Sequence, residues 1–387
     1  MKVALIVQHF PFGGAESYVE QIAQRLHANG KDVTVISSKN NDYDDRKLPF
    51  PVIRLPKLFS LGEYSFWRGL GTSLKHGNFD LIHINTYGYF HSDYTAFLKK
   101  KHGYKLIMTS HGFTGLDLHQ LKKNKLLTKN SLFNIIRPFY DSNIGKKTIL
   151  KCDHLIALSK RDMEFYDKIG VSKSKISLIP PGIRESFFDL KNDDVKKLHD
   201  INADPLLLSV GELSWIKNHA MAINAMPQIL EKKPQAKLII IGRDNGELSN
   251  LKQLCHKLNV ENNVNFLGFK NTEEVSKYMR SADLLLHTSL AEGLSTVLLE
   301  SMASGLPFIT TPAGGNAYLA EESKAGLTVP FEDEITLANT ITTLVEDKSK
   351  LENMALNGRA YAKDLSWNKV FERINNVYNM LLNHDRN

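Results

Sequence analysis

The feature that most constrains this chain is a regular alternation of short apolar runs with amphipathic stretches. The stretch from Glu16 to Ala28 places its apolar side chains on a single helical stripe. Five runs in the first half have the length and content of buried parallel strands: Val3 to Val7, Val33 to Ser37, Leu81 to Ile84, Leu106 to Thr109 and Leu155 to Leu158. Strands that alternate with helices predict a parallel sheet covered on both faces.

The alternation pauses after the run Ile176 to Ile179, where Pro180-Pro181-Gly182 and a polar stretch to about Asp204 are typical of a linker. A second series then follows: Leu206 to Val210, Leu238 to Ile241, Val264 to Phe266, Leu284 to His287 and Phe308 to Thr310. A chain of 387 residues is also too long for one ordinary core. We therefore predict an α/β fold of two doubly wound, Rossmann-like domains that face each other across a cleft, where the strands' carboxyl ends bind ligand.

The predicted boundaries follow from these breaks. The first domain covers residues 1–182, a hinge or linker covers 183–204, and the second domain covers 205–364. Residues 365–387 form an amphipathic C-terminal helix that we expect to pack back towards the first domain.

The net charge of +7 is concentrated in one region. Eleven basic residues lie between Lys99 and Lys147, opposed only by Asp117 and Asp141. Within this region the segment Leu116 to Tyr140 mixes apolar side chains with Lys122, Lys123 and Lys125. Such a segment suits an anionic membrane or a lipid-linked phosphate, and it equally suits a solvated helix with an apolar stripe. It has no basic stripe interleaved with aromatics, so we expect no nucleic-acid partner.

The two cysteines, Cys152 and Cys255, lie about a hundred residues apart in different predicted domains. Their spacing suggests neither a disulfide framework nor a metal site, and a reducing compartment fits them best. We therefore expect a cytoplasmic protein, and the membrane reading of the basic segment would place it peripherally at the inner face of the cell membrane.

The clearest functional signal is the segment Ala291 to Glu300, directly after a predicted strand. Gly293 and Leu294 form a turn that leads into a helix starting near Ser295 or Thr296. Amides at a helix start favour an anion, so this is a phosphate site. Glu300 lies about 6 Å further along the axis, where it suits a ribose, and Glu292 would face the donor sugar. The alternative is that Glu292 is an ordinary turn residue and Glu300 a solvated helix residue. It does not explain the apolar surroundings of Glu300, where a carboxylate without a partner would be costly.

Two glutamates separated by seven residues and followed by Ser301-Met302-Ala303-Ser304-Gly305-Leu306-Pro307 resemble the signature of glycosyltransferase family 4. Further matches fall in the family's order: Phe12-Gly13-Gly14-Ala15-Glu16, Ser110-His111-Gly112, Pro181-Gly182-Ile183, Gly211 to Lys217, Ile241-Gly242, Phe266-Leu267-Gly268 and Pro312-Ala313-Gly314-Gly315. Their order over some three hundred residues makes the resemblance specific. It implies the GT-B fold and a retaining transfer of sugar from a nucleotide-sugar.

The resemblance also implies roles for individual residues. Gly13 and Gly14 would bring backbone close to the donor, and His111 would contact the donor sugar. Lys217 would neutralise the leaving diphosphate. The family usually has an arginine where this chain has Glu212, which removes an expected cation, and Arg243 is a conceivable substitute.

The strand ends at Gly242 and Phe269 would hold the nucleobase, and their chemistry does not separate a UDP-, GDP- or ADP-sugar. The nucleotide-sugar is a co-substrate and not a cofactor, and neither a metal nor another cofactor is expected. Asp42-Tyr43-Asp44 has the spacing of a metal-binding motif, but its polar loop indicates a turn.

The resulting prediction is a retaining, metal-independent hexosyltransferase that acts on a glycan or lipid-linked acceptor in glycan, glycolipid or cell-surface polysaccharide synthesis. A sugar-nucleotide epimerase of the same fold and a catalytically silent nucleotide-sugar-binding protein are the alternatives. An oxidoreductase is disfavoured because the first loop lacks the GxGxxG fingerprint of dinucleotide sites.

Overall fold

The computed structural model describes residues 1–11, 13–39, 44–61, 64–112, 139–189 and 202–383. The chain divides into two compact units. Unit 1 comprises Met1–Gly182 and Trp367–Asn387, and unit 2 comprises Ile183–Ser366. The C-terminal helix therefore belongs to unit 1, although it follows unit 2 in sequence.

Unit 1 is built on seven parallel strands in the order β3-β2-β1-β6-β7-β8-β9. The strands are β1 (Lys2–Ile6), β2 (Asp32–Ser38), β3 (Val52–Leu55), β6 (Leu81–Ile84), β7 (Lys105–Thr109), β8 (His154–Ala157) and β9 (Ile176–Leu178). The strands β4 (Lys57–Leu61) and β5 (Tyr64–Trp67) form a separate antiparallel pair. The helices are α1 (Gly14–Ala28), α2 (Leu70–Gly77), α3 (Phe90–His102), α4 (Lys146–Lys151), α5 (Lys160–Lys168) and the C-terminal α13 (Trp367–Asn383).

Unit 2 repeats this plan with six parallel strands in the order β12-β11-β10-β13-β14-β15. The strands are β10 (Leu206–Val210), β11 (Lys237–Ile241), β12 (Val264–Phe266), β13 (Leu284–His287), β14 (Phe308–Thr310) and β15 (Gly326–Thr328). The helices are α6 (His219–Lys232), α7 (Leu248–Lys257), α8 (Thr272–Ser281), α9 (Thr296–Ala303), α10 (Asn316–Ser323), α11 (Glu334–Glu346) and α12 (Lys348–Ala362). Two Rossmann-like parallel sheets with helices confirm the predicted fold class.

The apolar runs become strands because helices cover both sheet faces, so consecutive side chains are all buried. Val3, Ala4, Leu5 and Ile6 of β1 are completely buried, although they point alternately to opposite faces. Each sheet has one point at which the strand order reverses. This point lies between β1 and β6 in unit 1 and between β10 and β13 in unit 2. Loops diverge at such a reversal, which makes the carboxyl ends of these strands the natural ligand positions.

Helix α13 is anchored in unit 1 by polar and aromatic contacts. The Tyr378 hydroxyl lies 2.7 Å from His83 Nδ1 in β6, and both side chains are buried. The Trp367 ring meets the Tyr18 ring with centroids 5.3 Å apart, and the Arg25 guanidinium lies over the same indole. These contacts tie the end of the chain to its first helix.

The first residues of the predicted linker pack within unit 2. The Ile183 amide donates to the Leu365 carbonyl, and a single helical turn spans Glu185–Phe187. Phe187 is completely buried, and its carbonyl accepts from the Ser304 hydroxyl. Residues 190–201 of the linker lie outside the described residues.

Candidate functional site

The centre of the unit 2 site is an ion pair between Lys217 and Glu292. Lys217 lies in the loop after β10, and Glu292 lies in the loop after β13, the neighbouring strand across the sheet reversal. Lys217 Nζ is 2.6 Å from Glu292 Oε1, and the two side chains are 27% and 12% exposed. Two residues 75 positions apart therefore meet because parallel neighbours end at the same sheet edge.

His287, the last residue of β13, completes this cluster and was missed by the sequence analysis. Its Nε2 lies 3.1 Å from Glu292 Oε1 and 3.3 Å from the Ser289 hydroxyl, and its ring is 4% exposed. A histidine at a strand end carries little signal by itself. Its position five residues before a candidate glutamate was the only available hint.

Lys217 and His287 both bond to Oε1 of Glu292. Burial alone would raise the pKa of this carboxyl, but the Lys217 charge and the His287 hydrogen bond outweigh burial and hold it well below its usual range. Glu292 is therefore an anion at neutral pH. Among the described residues none donates a hydrogen bond to Oε2, so this oxygen has capacity to accept one from a ligand hydroxyl.

The turn after Glu292 leads into helix α9, as predicted. Ser295 is the N-cap of α9 and is buried, and Leu294 and Thr296 are half-buried beside it. The Ser295 amide already donates to Asn316 Oδ1, 3.2 Å away, so this amide is not available to an anion. The predicted phosphate site is thus reduced to the amides of the first helical turn, which begins at Thr296.

Gly314 packs closely against the backbone of the turn that carries Glu292. Its φ is +58°, and a Cβ built there would lie 2.1 Å from the Glu292 carbonyl oxygen and 2.5 Å from the Gly293 carbonyl oxygen. The amide of the next residue, Gly315, donates to the Gly293 carbonyl at 2.7 Å. Only glycine allows this close approach, so the Pro312 to Gly315 motif holds the turn that carries Glu292.

Glu300 lies one helical turn beyond Thr296 in α9 and is half-buried. Burial raises the pKa of its carboxyl to about 7, and the charge of Arg184 acts in the opposite direction. The acid is therefore poised between its neutral and ionised forms at neutral pH.

The remaining predicted donor residues of unit 2 follow β11 and β12. Gly242 directly follows β11, and a Cβ there would collide with the Gly211 carbonyl at 1.7 Å, so two loops touch at this point. The Arg243 guanidinium lies 5.7 Å from the ring centroid of Phe269, which is 67% exposed. The Arg243 guanidinium thus lies over the ring of Phe269, a residue that is predicted to hold the nucleobase. Glu212, at the family's arginine position, is exposed.

In unit 1, His111 lies directly beyond the end of β7. Burial lowers its pKa to about 3, so the ring is neutral at physiological pH. Its Nε2 is buried without a hydrogen-bond partner among the described residues, and its ring packs edge-on against Tyr18 at 4.8 Å. A buried nitrogen without a partner is costly, which marks this atom as a candidate ligand contact.

Gly13 and Gly14 are placed where the first loop meets α1. Gly13 is the N-cap and Gly14 is the first residue of the helix. Glu16 folds back over this loop, where its Oε1 accepts from the His9 amide at 3.3 Å. Burial raises the pKa of the Glu16 carboxyl. This arrangement brings a carboxyl group close to the loop, a feature that the sequence analysis did not assign.

The structure describes only part of the other predicted features. Lys122, Lys123 and Lys125 lie outside the described residues, as do Asp42 and Tyr43. Asp44 caps the short helix Asp45–Lys47 and pairs with Arg46 at 2.7 Å, as a turn residue would. Among the described residues no cluster of three or more His, Cys, Asp or Glu side chains could hold a metal ion, and no helix is long and apolar enough to cross a membrane. Cys152 and Cys255 are free and buried.

Comparison with known proteins identifies the family and the fold. Residues 12–187 match the sequence model of Glycosyltransferase Family 4, and residues 191–361 match that of Glycosyl transferases group 1. A Campylobacter jejuni protein named N-acetylgalactosamine-N,N'-diacetylbacillosaminyl-diphospho-undecaprenol 4-alpha-N-acetylgalactosaminyltransferase is 28% identical over 329 residues, 84% of this chain and 78% of that protein. The alpha-monoglucosyldiacylglycerol synthase of Streptococcus pneumoniae is 25% identical over 334 residues, 82% of this chain and 72% of that protein.

Among solved structures, HepE of Anabaena in complex with UDP-glucose superposes with a TM-score of 0.77. It is 22% identical, and the match covers 98% of this chain and 100% of HepE. This similarity shows the fold, which is that of the GT-B glycosyltransferases. The two family matches together span nearly the whole sequence, and they show that this chain belongs to the family 4, group 1 glycosyltransferases.

Proposed function

We propose that this glycosyltransferase is a retaining, metal-independent enzyme that transfers a hexose from a UDP-sugar to a hydroxyl of a glycan or lipid-linked acceptor. The observation that carries the proposal is the cluster of Lys217, Glu292 and His287 beside the start of α9. It places one cation and one oriented carboxylate at the strand ends where a sugar diphosphate would bind. The choice of UDP is supported by HepE, whose structure was solved with UDP-glucose.

In the proposed reaction the bond between the anomeric carbon and the β-phosphate oxygen breaks. A bond from the acceptor oxygen to the same face of that carbon forms, and the acceptor proton passes to the departing phosphate oxygen. No protein nucleophile is needed, so catalysis rests on orientation and on stabilising the leaving group. Lys217 and the first-turn amides of α9 would stabilise the diphosphate. Glu292 would accept hydrogen bonds from the sugar through Oε2, and Glu300 would accept from the ribose.

We assign the remaining predicted residues by the same family resemblance. His111 would contact the donor sugar through its unpartnered Nε2, and Gly13 and Gly14 would keep the first loop close to the ligand. Arg243 and Phe269 would form the surface on which the nucleobase lies.

The acceptor proposal is supported by two relatives whose names include lipid-linked molecules, a diphospho-undecaprenol and a diacylglycerol. We accordingly propose that the protein acts at the anionic inner face of the cell membrane, with Lys122, Lys123 and Lys125 as one point of contact. The two free cysteines fit a cytoplasmic location.

The test is nucleotide release from UDP-, GDP- and ADP-sugars, measured with EDTA and with or without a membrane lipid extract. We expect release of UDP alone, faster with the extract. Lys217→Ala should lower kcat/KM on the order of 100-fold, and Glu300→Ala should mainly raise the KM for the donor. Lys257→Ala, a change at an exposed lysine of the same unit, is the matched control.

Other outcomes would redirect the assignment. Interconversion of the donor sugar without acceptor would indicate an epimerase, and donor binding without release would indicate a silent binding protein. Loss of activity in EDTA that returns with a divalent cation would refute metal independence. The anomeric configuration of the product, measured by proton NMR coupling, decides between retention and inversion.

A further inference from the structure

Exposed apolar side chains are concentrated on one part of unit 1. Eleven large hydrophobic side chains are exposed among the described residues, and six of them lie in β4, α3 and the segment 139–151. These six are Leu58 (60% exposed), Phe59 (54%), Phe97 (67%), Phe139 (66%), Ile144 (43%) and Leu150 (46%). Single exposed apolar residues are ordinary on protein surfaces, whereas a group of this kind marks an interaction site.

Two of these residues, Phe59 in β4 and Phe97 in the C-terminal half of α3, are the ends of one continuous ladder of ring contacts. Phe59 stacks on Phe66 with centroids 4.3 Å apart, and Phe66 lies 4.8 Å from Phe90. Phe90 stacks on Tyr94 at 5.2 Å, and Tyr94 lies 6.4 Å from Phe97. The two ends of the ladder are its most exposed rings. The strand pair is therefore held by its aromatics against α3, and both contribute to one surface.

The segment 139–151 joins the same surface. The Tyr140 ring lies 6.2 Å from the Tyr64 ring of β5, and its neighbour Phe139 is exposed. At the other end of the segment, Lys151 Nζ lies 5.5 Å from the ring centroid of Phe97. We call the surface formed by β4, β5, α3 and residues 139–151 the aromatic–lysine face.

Among the described residues of the aromatic–lysine face, the exposed charges are all positive. Six lysines on its elements are exposed: Lys57, Lys100, Lys101, Lys146, Lys147 and Lys151. The acidic side chains among its described residues are Asp93 and Asp141, and both are half-buried and hydrogen-bonded. Asp93 accepts from the Tyr64 and Tyr140 hydroxyls, and Asp141 accepts from the Tyr87 hydroxyl. Within the described parts of these elements, no exposed carboxylate would repel an anionic partner.

We propose that the aromatic–lysine face docks on an anionic lipid bilayer, an inference that rests on the proposed reaction with a lipid-linked acceptor. Exposed phenylalanine and leucine side chains can enter the boundary between headgroups and acyl chains, and lysines beside them bind anionic headgroups. The aliphatic Leu58, Ile144 and Leu150 distinguish a bilayer from nucleic acid, because they can enter the acyl boundary but offer no ring for a base to stack on. Lys122, Lys123 and Lys125 lie outside the described residues and are not counted in this face.

The test is sedimentation of the full chain with phosphatidylcholine vesicles, either pure or containing about one third phosphatidylglycerol. We expect binding to the anionic vesicles only. Lys146→Gln/Lys147→Gln should lower the partition constant about 30-fold, since each lysine near the surface contributes about 1 kcal/mol. Phe59→Ser/Phe97→Ser should lower it at least about tenfold through the loss of inserted apolar area. The matched controls are Lys252→Gln/Lys257→Gln and Ile335→Ser/Leu356→Ser, which change exposed residues of unit 2.

Sedimentation of both face variants at the wild-type level would overturn the proposal, as would equal binding of the wild type to neutral vesicles. Loss of binding to a mixed-sequence RNA in the face variants, with vesicle binding unchanged, would assign the face to nucleic acid. Thermal unfolding of each variant confirms that the surface changes leave the fold intact. Nucleotide release is measured separately, so an inactive protein that still sediments through this face would refute the reaction and leave the docking surface standing.

Discussion

We predict that breaking the ion pair between Lys217 and Glu292 lowers the unfolding free energy of the protein. Lys217→Met removes the cation but keeps most of the side chain's volume, so it leaves a carboxylate that is only 12% exposed with His287 as its partner. Breaking a buried pair typically costs about 3–5 kcal/mol. Because Lys217 is 27% exposed and His287 still donates, we expect a smaller loss, of about 2–3 kcal/mol.

Glu292→Gln should cost less, about 1–2 kcal/mol, because the lysine that remains can turn towards water. The double variant Lys217→Met/Glu292→Gln removes both charges and should cost clearly less than the sum of the single changes. The expected coupling energy is about 1–2 kcal/mol. Urea unfolding and calorimetry of the ligand-free protein measure all four members of the cycle, and each 1 kcal/mol should shift Tm by about 2–4 °C. Additive losses would refute the idea that these two groups stabilise one another.

The pH dependence provides a second check on the same pair. The pKa of Glu292 in the folded protein lies below its unfolded value of about 4.3. Its stabilisation is therefore complete above that value and is lost as the pH falls through the folded pKa. The difference in unfolding free energy between wild type and Glu292→Gln should be constant from pH 6 to pH 8 and shrink in acid. A difference that grows in acid would contradict the assignment.

Three further predictions concern other parts of the molecule. Burial raises the pKa of Glu300 in the folded protein to about 7, so the protonated form favours folding and this stabilisation is lost as the pH rises from about 4.3 through 7. The unfolding free energy of Glu300→Gln, relative to that of the wild type, should therefore increase by about 2 kcal/mol between pH 5 and pH 8 in urea titrations. Gly314→Ala should displace the Glu292 turn, lower the unfolding free energy by about 2–4 kcal/mol and abolish nearly all activity in the nucleotide-release assay. Gly246 has a φ of +94° but open space around it, so Gly246→Ala should lower the unfolding free energy by about 1 kcal/mol and remain active. Tyr378→Phe leaves the buried Nδ1 of His83 without its partner and should cost about 1–3 kcal/mol by urea unfolding, with a near-zero effect refuting the role of this bond as an anchor of α13.

Much of the fold could be predicted because buried parallel strands have a simple sequence pattern. Several predicted runs, including Leu81 to Ile84 and Leu206 to Val210, have the bounds that the structure gives them. The strands β3 and β15 were not predicted, since they lie at sheet edges, where burial is incomplete and the apolar pattern is weak. The pair β4 and β5 was also missed, because its exposed aromatics do not alternate as a core strand does.

The sequence by itself determined which residues are candidates for donor binding and catalysis. The turn from Glu292 to Thr296 and the helix that carries Glu300 are local features, encoded by glycine, a helix start and residue spacing over ten positions. A helix start at Ser295 or Thr296 follows from such short-range rules, and the structure places the N-cap at Ser295.

Only the tertiary structure decided what each of these residues touches. Lys217 and Glu292 are joined because β10 and β13 are neighbours at the sheet reversal, and the same adjacency brings His287 onto the same carboxylate oxygen. The Ser295 amide is occupied by Asn316, and the aromatics of β4 and α3 form one surface, through contacts between residues far apart in sequence. Such pairings depend on the register and order of strands, which are set by packing over the whole domain and not by any local run of residues.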